Sequence, residues 1–227
     1  MSACEPAKIA PAEWELASAQ RSRLYGWFSA LYAEEVQEAL FEKHFSGGSF
    51  EPFEGVSALG LAGEVRRLEA AITALHDVPL ARLELAADFA QLFLLDARSG
   101  ALPYASAYEG DASAARLYSA AEAKMRELLA SRALAICSTF REPADHLAVL
   151  LSLQAHLAQH QCAAGDIHAA AQEQADLLRT ALLNWLPRFV ARCQQVKPRF
   201  DFYPALATLL LGFMRADLSF LEDLATD

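Results

Sequence analysis

The amino-acid sequence predicts an all-α protein, a single-domain bundle of about eight or nine helices spanning residues 1–227. Alanine and leucine, which lose little entropy in a helix, account for 47 and 36 of the 227 residues. Valine, isoleucine and threonine, which favour strands, together number only 16. Because the chain is long enough to bury a sizeable core without disulfides or metals, packed helices are favoured over an extended sheet.

The first half of the chain divides into helices at its prolines, glycines and capping residues. Pro11 precedes a helix over 12–33, and a short second helix over 34–45 ends at a loop over 47–55. Ser57 can cap a third helix, whose apolar stripe consists of Leu61, Val65, Leu68, Ile72 and Leu75. A fourth helix runs from Pro79 to about Leu95, and we expect residues 1–12 to form a flexible N-terminal extension.

The second half begins with the clearest break in the sequence, over 96–112. In chain order, we predict helices from Asp111 or Ser113 to 130, over 142–161, over 167–186 and over 204–224, with a segment of mixed character at 132–141. The long helix should start at Glu142-Pro143, since proline suits the first helical position. Pro187 either kinks the helix before it or starts a new one.

Charge and motif content exclude several classes of protein. The 19 basic and 29 acidic residues give a net charge of −10, and no basic cluster exceeds Arg66-Arg67, which disfavours nucleic-acid binding. There is no P-loop, GxGxxG or GxSxG motif. An acidic surface of this kind instead favours cationic partners.

The cysteines and the apolar segments indicate a soluble, cytoplasmic protein. The four cysteines (Cys4, Cys137, Cys162 and Cys193) form no CxxC pair and are expected to be free thiols. The N-terminus lacks the pattern of a signal peptide. The uncharged stretch 146–165 contains too many His and Gln residues for a membrane span, and the apolar stretch 202–214 is too short for one.

Two groups of ionisable residues could carry chemistry. Glu142-Pro-Ala-Asp145-His146 places three ionisable groups together, although both acids could equally be ordinary first-turn residues of a helix. His156 and His160 have the i,i+4 spacing of metal ligands, but Leu157 stands where the HExxH motif needs its glutamate. An alternative function is therefore a helical metal-dependent hydrolase that uses His146, His156 and His160, although a solvated polar face explains the pair more simply.

Aromatic residues in the 96–112 segment suggest a groove. Tyr104 and Tyr108 lie in a loop bounded by proline and glycine, where a role in the core is less assured than for aromatic residues on helices. A groove lined partly by them could accept an apolar helical or extended peptide.

At these positions the chain resembles the TorD/DmsD/NarJ family of cytoplasmic chaperones for molybdoenzymes, with the TorD branch most similar. Residues 142–146 match the family motif E-P-x-D-H in full. In the family's order along the chain, similar segments are Arg23-Leu-Tyr-Gly-Trp-Phe-Ser-Ala-Leu-Tyr32, Phe89-Ala-Gln-Leu-Phe93, Pro103-Tyr-Ala-Ser-Ala-Tyr108 and Trp185-Leu-Pro-Arg-Phe189. The resemblance covers about 20–222, and Ala105 departs from it where many members carry glutamate.

The resemblance implies a partner and a binding site. The chaperone would bind the twin-arginine signal peptide and the apo form of a molybdopterin-containing reductase similar to trimethylamine-N-oxide reductase. It would aid cofactor insertion and prevent premature export. Asp145 and His146 would recognise the leader together with Glu142, with Asp145 pairing with arginine. Tyr104, Ser106, Tyr108 and Phe93 would form the neighbouring wall.

The resemblance also bears on catalysis, cofactors and assembly. It implies a binding protein without catalytic residues, cofactor or metal, apart from weak guanine-nucleotide binding. The protein would be a monomer or a homodimer that exchanges helical segments, with 96–112 and 132–141 as hinges.

Overall fold

The regular structure of the chain is helical, as predicted. A computed structural model describes residues 9–45, 55–108, 120–161 and 166–225. The helices are α1 (Pro11–Ala33), α2 (Glu38–Phe45), α3 (Ala62–Thr73), α4 (Ala81–Phe89), α5 (Ala120–Ala130), α6 (Leu147–His160), α7 (Ile167–Leu177), α8 (Leu186–Gln195) and α9 (Phe202–Ala225). In this part of the chain the strand-like pairing is limited to an isolated antiparallel bridge between Tyr104 and His146.

Short segments of other helical types join or extend these helices. A π-helical segment, Ser57–Leu61, leads into α3, while Ala90–Leu94 and Leu178–Leu182 extend α4 and α7 in the same geometry. A 3₁₀ turn, Ala105–Tyr108, lies in the loop after α4. Three predicted regions lie outside the described residues: residues 47–54 of the predicted loop over 47–55, residues 1–8 of the predicted extension and the predicted start of α5.

Helices α1 and α6 form the most extensive helix pair, and they run antiparallel. Trp14 Nε1 donates to the carbonyl of Gln161 at 3.3 Å near one end, and Ser29 Oγ donates to the carbonyl of Ala148 at 2.8 Å near the other. The buried face of α1 repeats at helical spacing, which explains why its sequence predicts it well. This face consists of Trp14, Ser18, Arg21, Leu24, Tyr25, Phe28, Leu31 and Tyr32.

Helix α9 occupies the core and packs against α3, α7 and α8. Its 24 residues exceed the thirteen-residue apolar stretch read from the sequence, so by length and composition it could cross a membrane. More than half of its most apolar window, 56%, is buried inside the protein, which is typical of a core helix. Leu206, Leu210, Phe213 and Leu221 are each at most 2% exposed.

Several predicted helix boundaries shift, and helix α2 begins at Glu38 instead of residue 34. Helix α6 begins at Leu147 instead of Glu142, because the backbone of His146 is extended (φ −65°, ψ 138°) and caps the helix. Helix α3 begins after Gly60, whose φ of 81° interrupts the helix predicted from Ser57. Helix α4 begins after Leu80, which has a left-handed φ of 58°. The predicted 167–186 helix ends at a π-helical segment, and Pro187 starts α8.

Candidate functional site

Two short segments, residues 103–106 and 142–147, lie side by side where the sequence places the candidate site. Leu147 N donates to the carbonyl of Pro103 at 2.8 Å, and Ala105 N donates to the carbonyl of Asp145 at 3.1 Å. The Tyr104–His146 bridge belongs to the same pairing. The proline of the motif therefore lies ahead of α6, in a loop fixed by a second loop about forty residues earlier in the chain.

The carboxylate of Asp145 is buried at this junction and only half satisfied. Asp145 is 1% exposed, and its Oδ2 accepts a hydrogen bond from Ser106 N at 2.9 Å. Its Oδ1 has no hydrogen-bond partner, and neither has the buried hydroxyl of Ser106. A buried polar atom without a partner carries a free-energy cost, so a ligand that donated to these oxygens would recover it.

His146 is buried and neutral. Its Nδ1 accepts the Ala148 backbone N–H at 3.1 Å, which leaves the ring proton on Nε2 in the neutral form. Tyr104 and Phe140 lie edge-on to the imidazole, with ring centroids 4.9 and 5.3 Å away. Burial in this aromatic setting lowers the pKa of His146 to about 3. In this position the side chain caps α6.

The other predicted site residues lie at different depths. Tyr104 donates through its hydroxyl to Glu142 Oε2 at 2.7 Å, and both side chains are half-buried. Tyr108 stacks on Trp185 with ring centroids 5.5 Å apart, and burial raises its pKa. Phe93 is 2% exposed and packs among core aromatic rings, so it does not belong to an open wall. The structure therefore brings Glu142, Tyr104, Ser106, Asp145 and His146 together and leaves Phe93 in the core.

A groove with a volume of about 750 Å³ lies between α5 and α7, and Asp145 forms part of its floor. We call it the α5–α7 groove. Its apolar side chains come from both helices and from α6, and Ala105 and Asp145 also line it. The lining consists of Ala105, Ala121, Lys124, Met125, Leu128, Arg132, Asp145, Leu150, Ala169, Gln172, Glu173, Asp176, Leu177, Thr180, Ala181 and Asn184.

The α7 wall of this groove was not predicted from the sequence. Glu173, Asp176 and Thr180 recur at steps of three and four residues, so they project from one face of α7 and its π-helical extension. The same spacing is present in the sequence and would have identified a polar stripe facing a groove. Arg132, which bridges to Glu173 from the end of α5, gave no such signal because the two residues are far apart in the chain.

The three histidines of the hydrolase alternative do not form a metal centre in the structure. Among residues 9–45, 55–108, 120–161 and 166–225, no three His, Cys, Asp or Glu side chains are placed to share a metal ion. His156 and His160 contact each other on α6, with ring centroids 4.1 Å apart. The pKa of His156 is lowered mainly by partial burial and, to a smaller extent, by the neighbouring His160.

Comparison with known proteins identifies the family. A family model described as the nitrate reductase delta subunit matches residues 58–191. A protein named chaperone protein TorD from a Psychrobacter species is 38% identical over 219 residues, covering 94% of this chain and 96% of the relative. Proteins of the same name from Vibrio cholerae and Escherichia coli are 35% and 38% identical to this chain. The matches cover 93% and 89% of this chain, respectively, and 96% of each relative. The chain therefore belongs to the TorD/NarJ family of chaperones, which are not enzymes and serve the maturation of molybdoenzymes.

Proposed function

We propose that this chaperone binds, in the cytoplasm, the twin-arginine signal peptide and the apo form of a molybdopterin-containing reductase similar to trimethylamine-N-oxide reductase. Binding aids insertion of the cofactor and prevents export of the enzyme before insertion is complete. The observation that carries the proposal is the unpartnered Oδ1 of Asp145, a residue that lines the α5–α7 groove.

The chemistry of the groove complements that of a twin-arginine leader. Such a leader has a basic segment followed by a moderately apolar one. Asp145, Glu173 and Asp176 supply carboxylates, and Met125 and Leu128 supply apolar surface beside them. An arginine that donates to Asp145 Oδ1 forms a charge-assisted hydrogen bond in a setting that excludes water, while the apolar residues pack between the helices.

The size of the groove limits what it accepts. A volume of about 750 Å³ lies within the range of roughly 300–1,000 Å³ that holds a drug-sized ligand. We therefore expect the groove to take the arginine pair and the first apolar residues of the leader, and the rest of the client to contact the surface outside it.

The surrounding residues position Asp145. Ser106 N holds Oδ2 and leaves Oδ1 directed away from that bond, while His146 fixes the start of α6 through the cap to Ala148. The Tyr104–Glu142 hydrogen bond ties the two segments together at their outer edge. In this proposal Asp145 makes the contact with arginine and its neighbours maintain the geometry of that contact.

Calorimetric titration with a synthetic leader tests the proposal. The variant Asp145→Asn keeps an oxygen for Ser106 N but removes the charge, so affinity should fall about ten- to one-hundred-fold, the equivalent of a charge-assisted hydrogen bond. Asp77→Asn, an exposed aspartate far from the groove, is the matched control and should leave affinity unchanged. A leader in which both arginines are alanine should bind the wild-type protein at least as weakly as the intact leader binds Asp145→Asn.

Two further results would define the client. Leaders of trimethylamine-N-oxide and dimethyl-sulfoxide reductases should differ in affinity, with the former tighter. Affinity should also fall as salt screens the arginine contact, while an apolar component remains. Binding that is indifferent to Asp145→Asn, with the native circular dichroism spectrum retained, would place recognition elsewhere on the chaperone.

A further inference from the structure

The acidic wall of the α5–α7 groove already holds one guanidinium group, which belongs to the chain itself. Arg132 follows α5 and donates through Nη2 to Glu173 Oε1 on α7, across the groove. Both residues line the groove. The pair shows which chemistry Glu173 accepts at this position.

The turn that ends α5 directs Arg132 into the groove. Ala133 N donates to the carbonyl of Ala130 and Leu134 N donates to the carbonyl of Leu129, both at 3.0 Å. Together they form a Schellman turn, in which the residue after the cap is left-handed. That residue is Ala133, with a φ of 55°, where glycine is usual. The chain therefore accepts an unfavourable backbone conformation directly beside Arg132.

Arg132 fits its position poorly. Its Nη1 donates to the carbonyl of Leu128 at 3.2 Å and, at a longer 3.4 Å, to Ser131 Oγ, whereas its Nε is buried without a hydrogen-bond partner. The side chains of Arg132 and Glu173 are 25% and 38% exposed, so solvent weakens their attraction. An ion pair of this kind contributes little to stability and can be exchanged for a better-fitting partner.

Glu173 is held in place independently of Arg132. Its Oε2 accepts from Gln161 Nε2, and Gln161 Oε1 accepts from Gln174 Nε2 at 2.9 Å. The backbone carbonyl of Gln161 in turn accepts from Trp14 on α1. Because this chain of contacts lies on the α1–α6–α7 side of the groove, the carboxylate keeps its orientation if Arg132 leaves.

We infer that Glu173 is a second arginine receptor of the groove and that Arg132 is its internal occupant, which an arginine of the leader displaces. The inference rests on the proposed function, because it assumes that the leader enters the groove. Asp145 then binds one arginine of the pair and Glu173 the other. A single arginine cannot replace both contacts, so the two carboxylates select for an arginine pair.

Removing each partner tests the inference in opposite directions. Arg132→Ala removes the internal competitor and should tighten leader binding about two- to five-fold, since an exposed ion pair is worth that factor. Glu173→Gln should weaken binding about ten-fold. It should have no further effect on a leader whose second arginine is already alanine. Arg132→Gln is a second variant that keeps a long polar side chain at the end of α5 and should also tighten binding.

Matched controls separate these effects from a change of net charge. Arg126→Ala removes an arginine from α5 that pairs with Glu122 outside the groove, and Glu69→Gln neutralises an exposed glutamate on α3. Neither should change affinity by more than about two-fold, since both lie away from the bound leader. Unfolding curves for all variants verify that the fold is retained.

The outcomes distinguish the two proposals. If the wild-type protein binds the leader and Asp145→Asn weakens binding, but Arg132→Ala and Arg132→Gln leave it unchanged or weaken it, the inference is wrong and the proposed function stands. If Glu173→Gln weakens intact and single-arginine leaders equally, Glu173 is not an arginine receptor. If neither the wild-type protein nor Arg132→Ala binds any leader, both proposals are wrong.

Discussion

The strongest stability prediction concerns a buried ion pair between α1 and α9. Arg21 Nε and Nη2 donate to Asp217 Oδ1 and Oδ2 at 2.5 and 3.0 Å, and the Tyr25 hydroxyl donates to Oδ2 at 2.6 Å. The side chains of Arg21 and Asp217 are 7% and 3% exposed. Trp14 and Phe220 flank the guanidinium, with ring centroids 5.7 and 5.9 Å from its carbon. Among these contacts, Asp217 is therefore the one group whose negative charge balances the positive charge of Arg21.

Replacing Asp217 by alanine should cost about 3–5 kcal/mol, the usual effect of leaving a buried charge unpaired. Burial alone disfavours the charged form of Arg21, but Asp217 outweighs burial and raises its pKa, so arginine stays charged and cannot escape the cost by losing a proton. Tyr25 also loses its acceptor. For a domain whose total stability is roughly 5–15 kcal/mol, the variant should be close to unfolding.

Urea unfolding followed by far-ultraviolet circular dichroism measures this cost. Asp201→Ala is the matched control, because it removes a more exposed partner, of Arg67, and should cost only about 0.2–1 kcal/mol. The double variant Arg21→Met with Asp217→Leu should recover most of the stability, since apolar side chains can replace a buried pair. The reasoning fails if Asp217→Ala costs no more than Asp201→Ala, or if the double variant is as unstable as the single one.

Further predictions concern pH and backbone geometry, and urea unfolding tests each of them. The unfolded chain protonates His146 near its ordinary pKa of about 6.5, whereas the folded chain does so only near 3, so stability falls as pH is lowered through that window. His146→Asn keeps a capping oxygen but does not titrate. Between pH 7 and 5 its free energy of unfolding should fall by about 2 kcal/mol less than that of the wild type. An equal fall in both proteins would show that His146 is not the group responsible. Gly26→Ala adds a methyl group to α1 in open space and should stabilise the protein by about 0.5–1 kcal/mol, while Gly100→Ala brings Cβ to 2.7 Å from the carbonyl of Leu92 and should cost about 1–3 kcal/mol. Equal effects of the two glycine substitutions would contradict this contrast. Leu80→Asn should stabilise the protein by about 1 kcal/mol, because Leu80 is 73% exposed and has a left-handed backbone conformation that asparagine tolerates better. A lower urea midpoint for this variant would refute the prediction.

The fold was predictable from the sequence wherever an apolar stripe repeats at helical spacing. This holds for α1 and α9, whose buried residues continue in one pattern from Trp14 to Tyr32 and from Phe202 to Leu224. The start of α6 was not predictable, because Pro143 fits the first helical position by local rules. The actual start depends on the carbonyl of Pro103 and the side chain of His146, and no local pattern shows that the two loops meet.

The candidate site was predictable in part, for a similar reason. The motif identified Asp145, but not that one of its oxygens would be buried without a partner, because that depends on Ser106 in another loop. The ion pair between Arg132 and Glu173 was not predictable, because it joins the turn after α5 to α7, far apart in the chain. Recognition by Asp145, His146, Glu142 and their neighbours stays a prediction, as does exchange of segments between protomers.

The bridge between Tyr104 and His146 has a consequence for the way the protein opens. This bridge joins a residue that precedes α5 in the chain to a residue that follows it. Helix α5 packs mainly on the 3₁₀ turn beside the bridge, while α1 and α6 support each other along their length. Helix α5 can therefore separate from α7 without unfolding the bundle, and its amides should exchange hydrogen faster than those of α1 and α6. The free energy of this local opening, and not the global stability, then contributes to the cost of admitting a guest that is larger than the groove.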